Sequence, residues 1–243
     1  MTLLLKLFAL QKILLNLLEA IKKFLLIADG GQKYLNYNCI QKLNVPFNYL
    51  KLIKNNTFKI ISGNLKGRKF KFPDAEGLRP TPGKTRETLF NWLQFNIADK
   101  TILDPFAGSG ALSLEAISRG AKKVCLVEKN KKVFKNLESN FKLLNSDQYQ
   151  LNNDDSIIFL DKQNTTPFDL VFLDPPFNQN LLASVLGLLS KKNYLHHKTQ
   201  IYIESEYEMT PEILKKHLGS DCMVKKQKKS GNVYYCLISL ESI

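Results

Sequence analysis

Residues 102–110 read ILDPFAGSG. A short apolar run over 101–103 has the length of a buried strand, and a turn carrying Gly108 and Gly110 leads at once into helical periodicity over 109–119. Strand, glycine turn and helix in that order open a parallel α/β sheet. Glycines at such a turn let the backbone approach a ligand, and the helix N-terminus presents free N–H groups to it. Working outward, the alternation continues. Residues 124–127 form a second strand, and 131–144 a helix. A third short strand covers 150–152 and is followed by a brief helix. The fourth, 168–173, is apolar at every position but Asp169 and is therefore expected to be central. Residues 181–190 are helical and 200–203 make a fifth strand. In the tail, 223–226 and 233–240 flank Ser230-Gly231-Asn232, a hairpin signal. Five βα units and a terminal hairpin predict a doubly wound, mostly parallel sheet with an antiparallel edge.

Upstream of this sheet the texture differs. Residues 1–56 form an extension: 3–28 are Leu-rich but broken by Lys6, Lys12, Glu19, Lys22 and Lys23, and 29–56 lack periodicity. No uninterrupted apolar run approaches the ~20 residues of a membrane span. Residues 57–81 read as a small basic β unit with tight turns at 62–64 and 66–67. A helix is expected over 82–98, with Pro82 in its first turn and Leu89, Phe90, Leu93 and Ile97 on one face. The third division, 82–243, carries the main sheet.

The formal net charge of +13 among 243 residues makes polyanions the candidate partners. Four cysteines, Cys39, Cys125, Cys222 and Cys236, have no metal-ligand spacing, so no metal is expected. Cys125 and Cys236 lie in apolar runs as core thiols, which suits a reducing, cytoplasmic setting.

The chemistry is carried by acids at predicted strand ends. Asp104 precedes the glycines. A carboxylate there repels a pyrophosphate but can bind the ammonium of the methionine part of S-adenosylmethionine. The dinucleotide fingerprint also asks for a third glycine-type residue near 113, where the chain has Ser113. Phe106, Ala107, Gly108 and Gly110 form the turn that lies against the ligand. Glu128 closes the second strand, placed to accept hydrogen bonds from both ribose hydroxyls. Asp154 and Asp155 follow the third strand, and Asp155 is the choice for the adenine amino group. Asp174-Pro175-Pro176-Phe177 ends the fourth strand. Two prolines stop the strand and hold a rigid turn. There Asp174 and the Pro175 carbonyl can accept hydrogen bonds from an exocyclic amine, and Phe177 can stack on its base. Two acceptors favour the pyramidal amine and stabilise the charge that develops during attack.

With DPFAGSG and DPPF placed, a resemblance can be stated. The chain resembles the amino-methylating branch of Rossmann-like methyltransferases. IISGNLKGRKFKFP, GLRPTPGKTRETLFNWL and KSGNVYY narrow the likeness to the 16S ribosomal RNA guanine-N2 methyltransferase family of the RsmD type, from about Phe58 onward. That resemblance implies S-adenosylmethionine as cofactor. Its implied substrate is one guanine of small-subunit RNA, within an assembled or assembling subunit. A monomer is expected. Residues 1–56 depart from the family pattern.

RNA contact has a separate basis in charge. Lys66, Arg68 and Lys69 crowd the small β unit, Arg79 and Arg86 follow, and Lys228 and Lys229 stand on the tail hairpin, with Phe70, Phe72, Tyr234 and Tyr235 interleaved. The Arg79-Pro80-Thr81 loop and Arg86 are expected to border the cofactor and base pockets, with Glu204 nearby at the end of the fifth strand. Two other readings share these motifs. One is an adenine-N6 DNA methyltransferase, for whose target-recognition domain the chain has no room. The other is a non-catalytic RNA-binding assembly factor, which would need neither Asp104 nor Asp174.

Overall fold

In a computed structural model, the residues described are 56–240, apart from 165 and 178. The expectations for the extension, and Cys39, lie outside them. Residues Asn55–Ile243 form one compact unit.

The central sheet has seven strands. In chain order they are β3 (Thr101–Asp104), β4 (Lys123–Val127), β5 (Tyr149–Asn152), β6 (Phe168–Leu173), β7 (Leu195–Ser205), β8 (Cys222–Ser230) and β9 (Val233–Leu240), arranged β5-β4-β3-β6-β7-β9-β8. β3 to β7 run parallel, while β9 is antiparallel to both β7 and β8. This is the doubly wound, mostly parallel sheet with an antiparallel edge that the sequence predicts. Strand order reverses between β3 and β6, and at such a switch point the chain opens a crevice beyond the carboxyl ends of the strands.

Alternation along the strands sends side chains to two cores. On one face Ile102, Leu126, Leu170, Phe172 and Tyr202 pack under α1 (Gly83–Trp92), α2 (Ala111–Ser118) and α3 (Lys131–Lys142). On the other Leu103, Cys125, Val171, Leu173, Ile203 and Cys236 pack on α4 (Ser156–Leu160), α5 (Leu181–Lys191) and α6 (Pro211–Leu218). Burial pushes the Cys125 thiol up to about 11 and that of Cys236 up to about 12, so both behave as packing groups.

The small β unit is β1 (Thr57–Lys59) paired antiparallel with β2 (Lys69–Lys71). It sits on the first core through Phe58, Ile60 and Phe70. Gly63 makes the contact with α2 possible. Its φ is +81°, and a Cβ there would stand 1.8 Å from the Ser118 carbonyl oxygen.

Four elements differ from the sequence reading. α1 stops at Trp92, not Ala98: Asn96 N–H folds back to the Leu93 carbonyl and Asp99 takes a positive φ, although Leu93 and Ile97 stay buried. β7 has eleven residues because its first half, polar and partly exposed, still pairs with β6 at Phe168. β8 extends to Ser230 as an edge strand. Its exposed Lys225 to Lys229 carry no apolar alternation to reveal it. α6 was not located by periodicity. Thr210 caps it and Pro211 opens it.

Candidate active site

Asp104 is the last residue of β3 and its side chain is buried. The Ser113 hydroxyl, on the first turn of α2, donates to Asp104 Oδ2 at 2.6 Å. Burial, opposed by that bond and reinforced by the nearby Asp174 and Glu128, pushes the Asp104 carboxyl up to about 7. The turn that follows runs under this carboxylate. Gly108 has φ +50° and Gly110, at the N-cap of α2, φ +76°. A Cβ on Gly110 would come within 2.7 Å of Leu137 Cδ2, so the turn lies tight on α3. Glu128, just past β4, accepts from Gly108 N at 3.0 Å and from Asn130 N at 2.7 Å. Burial raises its pKa against those two bonds. Phe106 is half-buried, Ala107 is buried, and the Ala107 amide donates to the Val127 carbonyl.

Asp174 stands one residue beyond β6. It is half-buried, with Pro175 buried and Pro176 exposed beside it, and Phe177 is 37% exposed. Thr81 Oγ1 donates to Asp174 Oδ2 at 3.3 Å. Burial raises the Asp174 carboxyl to about 6, and the Thr81 bond pulls the other way. Next along the sheet is Glu204, buried on β7, which accepts from the Tyr202 hydroxyl at 2.8 Å. Burial first, and the Asp174 charge second, push it up to about 8. Glu128, Asp104, Asp174 and Glu204 thus stand at the carboxyl ends of the adjacent strands β4, β3, β6 and β7. In a chain of net charge +13, the crevice is lined with acids that are short of counter-charge. Such a site suits a cation.

Comparison with known proteins agrees with this geometry. The family described as "Conserved hypothetical protein 95" matches residues 58–239. "Ribosomal RNA small subunit methyltransferase D" of Escherichia coli K12 is 40% identical over 185 residues, covering 76% of this chain and 90% of that protein. The protein of the same name from Haemophilus influenzae is 42% identical over 185 residues, covering 74% and 92%. The chain belongs to the RsmD-type methyltransferase family. A solved Escherichia coli structure described as a methyltransferase superposes with a TM-score of 0.69 at 38% identity, covering 77% of this chain and 100% of that one.

Against this RsmD-type frame, the remaining expected residues divide. Asp155 caps α4, its Oδ1 accepting from Ile157 N at 2.9 Å, with Oδ2 3.9 Å from Lys129 Nζ. Ser156 donates to the Pro105 carbonyl, which ties this cap to the glycine turn. Asp154 is engaged instead by Lys162 at 2.9 Å. Arg79 is exposed, two residues before Thr81. Lys228 and Lys229 are exposed on β8, and register carries them across Tyr235 and Tyr234 to Glu204 and Ser205, so the hairpin tip borders the crevice. Lys66, Arg68 and Lys69 are exposed, but the turn that carries Lys66 and Arg68 is held at the far ends of α2 and α3. Leu65 N bonds Ser118 Oγ there, and Arg68 reaches the Leu143 carbonyl. The two basic clusters therefore do not flank the Asp174 turn symmetrically.

Arg86 is a correction. It is 5% exposed, and its guanidinium donates to the carbonyls of Thr81 and Lys59 and to Glu115, so it is not presented to RNA. Phe70 and Tyr235 are likewise core residues, not stacking platforms. Sequence reasoning passed over Glu115. It is fully buried and accepts from Ile61 N, Ser62 N, Arg86 and Arg119. The signal was available: one charge inside the otherwise apolar helix ALSLEAIS must be paired if that helix is buried. Ser113, read only as a departure from a dinucleotide pattern, orients Asp104.

Proposed function

We propose that the chain transfers a methyl group from S-adenosylmethionine to the exocyclic N2 amine of a guanine in small-subunit ribosomal RNA. The observation that carries the reading is the row of four acids at adjacent strand ends, with the Pro175 carbonyl beside the third. The relatives' name, a ribosomal RNA small-subunit methyltransferase, supports the substrate class.

The residues fit the cofactor. Asp104, buried and held up to about 7, gains most from a neighbouring ammonium. Glu128, at the mouth of the glycine turn, has carboxylate oxygens for a ribose diol, and Asp155 Oδ2, which among the described residues only the exposed Lys129 approaches at 3.9 Å, is the acceptor for an adenine amine. When bound, S-adenosylmethionine supplies a methyl already activated on a sulfonium. The protein's own work is then to orient and to accept. Asp174 and the Pro175 carbonyl take the two hydrogens of the amine, which sharpens its lone pair and stabilises the positive charge that grows on nitrogen. Asp174 must be ionised to do so. Phe177, the exposed aromatic of the turn, stacks on a guanine drawn out of its RNA stack. Arg79, Lys228 and Lys229 hold phosphates at the rim, and Lys66, Arg68 and Lys69 contact RNA further from the reacting base.

A transfer assay with labelled cofactor tests this. Small subunits lacking the modification should be labelled on guanine N2, and naked DNA should not. Labelling of adenine in DNA would make the chain a DNA methyltransferase, and no transfer to either would leave a binding factor.

A further inference from the structure

A series of hydrogen bonds joins the catalytic turn to a buried ion pair beneath the small β unit. Thr81 Oγ1 donates to Asp174 Oδ2 at 3.3 Å. The carbonyl of Thr81 accepts from Arg86 Nε at 3.1 Å. Arg86 Nη1 donates to the Lys59 carbonyl at 3.1 Å and lies 3.4 Å from Glu115 Oε2. Glu115 accepts in addition from Ile61 N at 2.9 Å, Ser62 N at 3.0 Å and Arg119 Nε at 2.9 Å. Thr81, Arg86 and Glu115 are all buried, which shields the Arg86 bonds to Thr81 and Glu115 from water.

The arrangement answers a positional problem. Asp174 lies past the end of its strand, in a turn, where its carboxylate could take several rotamers. Its partner Thr81 also comes from a loop, and a loop places a functional group well only when something rigid fixes its backbone. Here the Arg86 fork supplies that fixing from the first turns of α1, and Glu115 fixes Arg86. The same pair grips the backbone at Lys59, Ile61 and Ser62, so the β unit and the catalytic turn share one anchor.

We propose that Thr81 is a positioning residue for methyl transfer, its hydroxyl holding the Asp174 carboxylate toward the amine while the Arg86–Glu115 pair holds Thr81. This rests on the reading of Asp174 as the amine's acceptor. A second consequence separates it from simple packing. The Thr81 bond favours the ionised form of Asp174 against the burial that raises it. The other groups facing that carboxylate are Asp104 on β3 and Tyr202 and Glu204 on β7, none of them cationic. Loss of the hydroxyl therefore moves the acid limb of the activity profile to higher pH.

The test uses the full chain with Thr81→Val, Thr81→Ser, Arg86→Lys and Asp174→Ala. Cofactor affinity is read by calorimetry, and single-turnover rate on unmodified small subunits across the acid limb. Thr81→Val should bind cofactor within about twofold of the parent, lose about tenfold in rate, and shift the acid limb upward. Thr81→Ser should recover most of the rate and the limb. Arg86→Lys, which keeps the charge but not the fork, should reproduce the loss and the shift with the hydroxyl intact. Parent-like rates in Thr81→Val overturn the proposal, as does a slow Thr81→Val with an unmoved limb that serine does not rescue. If Thr81→Val does not fold, Arg86→Lys decides, and a parent-like rate and limb there overturn the anchor. An active Asp174→Ala overturns both this inference and the catalytic turn, whereas an inactive one beside a parent-like Thr81→Val overturns the inference alone.

Discussion

Asp174 and Glu204 stand one step beyond Leu173 and Ile203, the last paired residues of two neighbouring parallel strands. Their carboxyls therefore point to the same face of the sheet as Phe172 and Tyr202, under α1. Burial raises both carboxyls, and the Asp174 charge raises Glu204 further. Such a pair titrates as a unit, so one carboxylate can act as an acceptor while the other keeps its proton beside it.

The ligand-free protein should lose stability as pH rises. Folding raises the carboxyls of Asp174, Asp104 and Glu204 to about 6, 7 and 8, so the folded state binds their protons more tightly than the unfolded chain. Their favourable contribution is complete below the ordinary carboxylate range and disappears as pH climbs through the raised values. The melting temperature of the free chain should fall between about pH 5 and about pH 8. Glu204→Gln should flatten the upper part of that slope and stabilise the free protein at the alkaline end by on the order of 2 kcal/mol. A melting temperature that rises across this interval would contradict the electrostatic account.

Glu128→Ala should weaken S-adenosylmethionine binding by about 1–3 kcal/mol, the cost of leaving polar partners unpaired. Part of that loss would come from the turn itself, because Glu128 also holds the Gly108 amide. Calorimetry with S-adenosylmethionine and with NADH measures both the loss and the cofactor class. Tight NADH binding without S-adenosylmethionine binding would refute the assignment of Asp104.

Gly63→Ala should detach the small β unit. The residue has a positive φ, and its missing side chain lets Ser118 accept from Asn64 N through its carbonyl and donate to the Ser62 carbonyl through its hydroxyl. The strained backbone alone costs an alanine about 1–2 kcal/mol, and backbone atoms cannot yield to a contact of 1.8 Å. Chemical denaturation should show a total loss of about 2–4 kcal/mol, and a variant as stable as the parent would mean that Ser118 does not seat this turn.

What the sequence made legible follows from where its physics is local. The parallel sheet was readable because each buried strand is an apolar run closed by a turn, and 168–173 matches β6 residue for residue. The acids at strand ends were readable because an acid just past an apolar strand has few structural reasons to be there. Arg86 misled because a basic residue near other basic residues resembles a surface cluster. Its true partner, Glu115, lies 29 positions away on another helix. Lys66 and Arg68 are exposed as expected, but nearness in sequence to the Thr81 loop said nothing about their turn being seated at the C-terminal end of α2. β8 was cut short because an exposed edge strand of lysines has no buried face to impose a period of two.

Asp174→Ala should abolish methyl transfer while leaving cofactor affinity nearly unchanged. Asp174 sits at the switch point between β3 and β6, next to the strand that carries Asp104, and in the proposed reaction it would face the methyl end of the cofactor and not the adenosine end. Its hydrogen bond to the amine strengthens as the amine becomes cationic, which is stabilisation of the transition state and not of the bound ground state. The loss should therefore appear in single-turnover rate, at about a hundredfold or more. Phe177→Ala should behave differently. Its half-exposed ring has no part in the charge development, so the variant should weaken substrate binding by the ~1–3 kcal/mol of one stacked base and spare the rate at saturation. Both variants are measured for cofactor affinity, subunit affinity and single-turnover rate. If Asp174→Ala turns over normally, or fails only because cofactor no longer binds, the DPPF turn is not the seat of the chemistry.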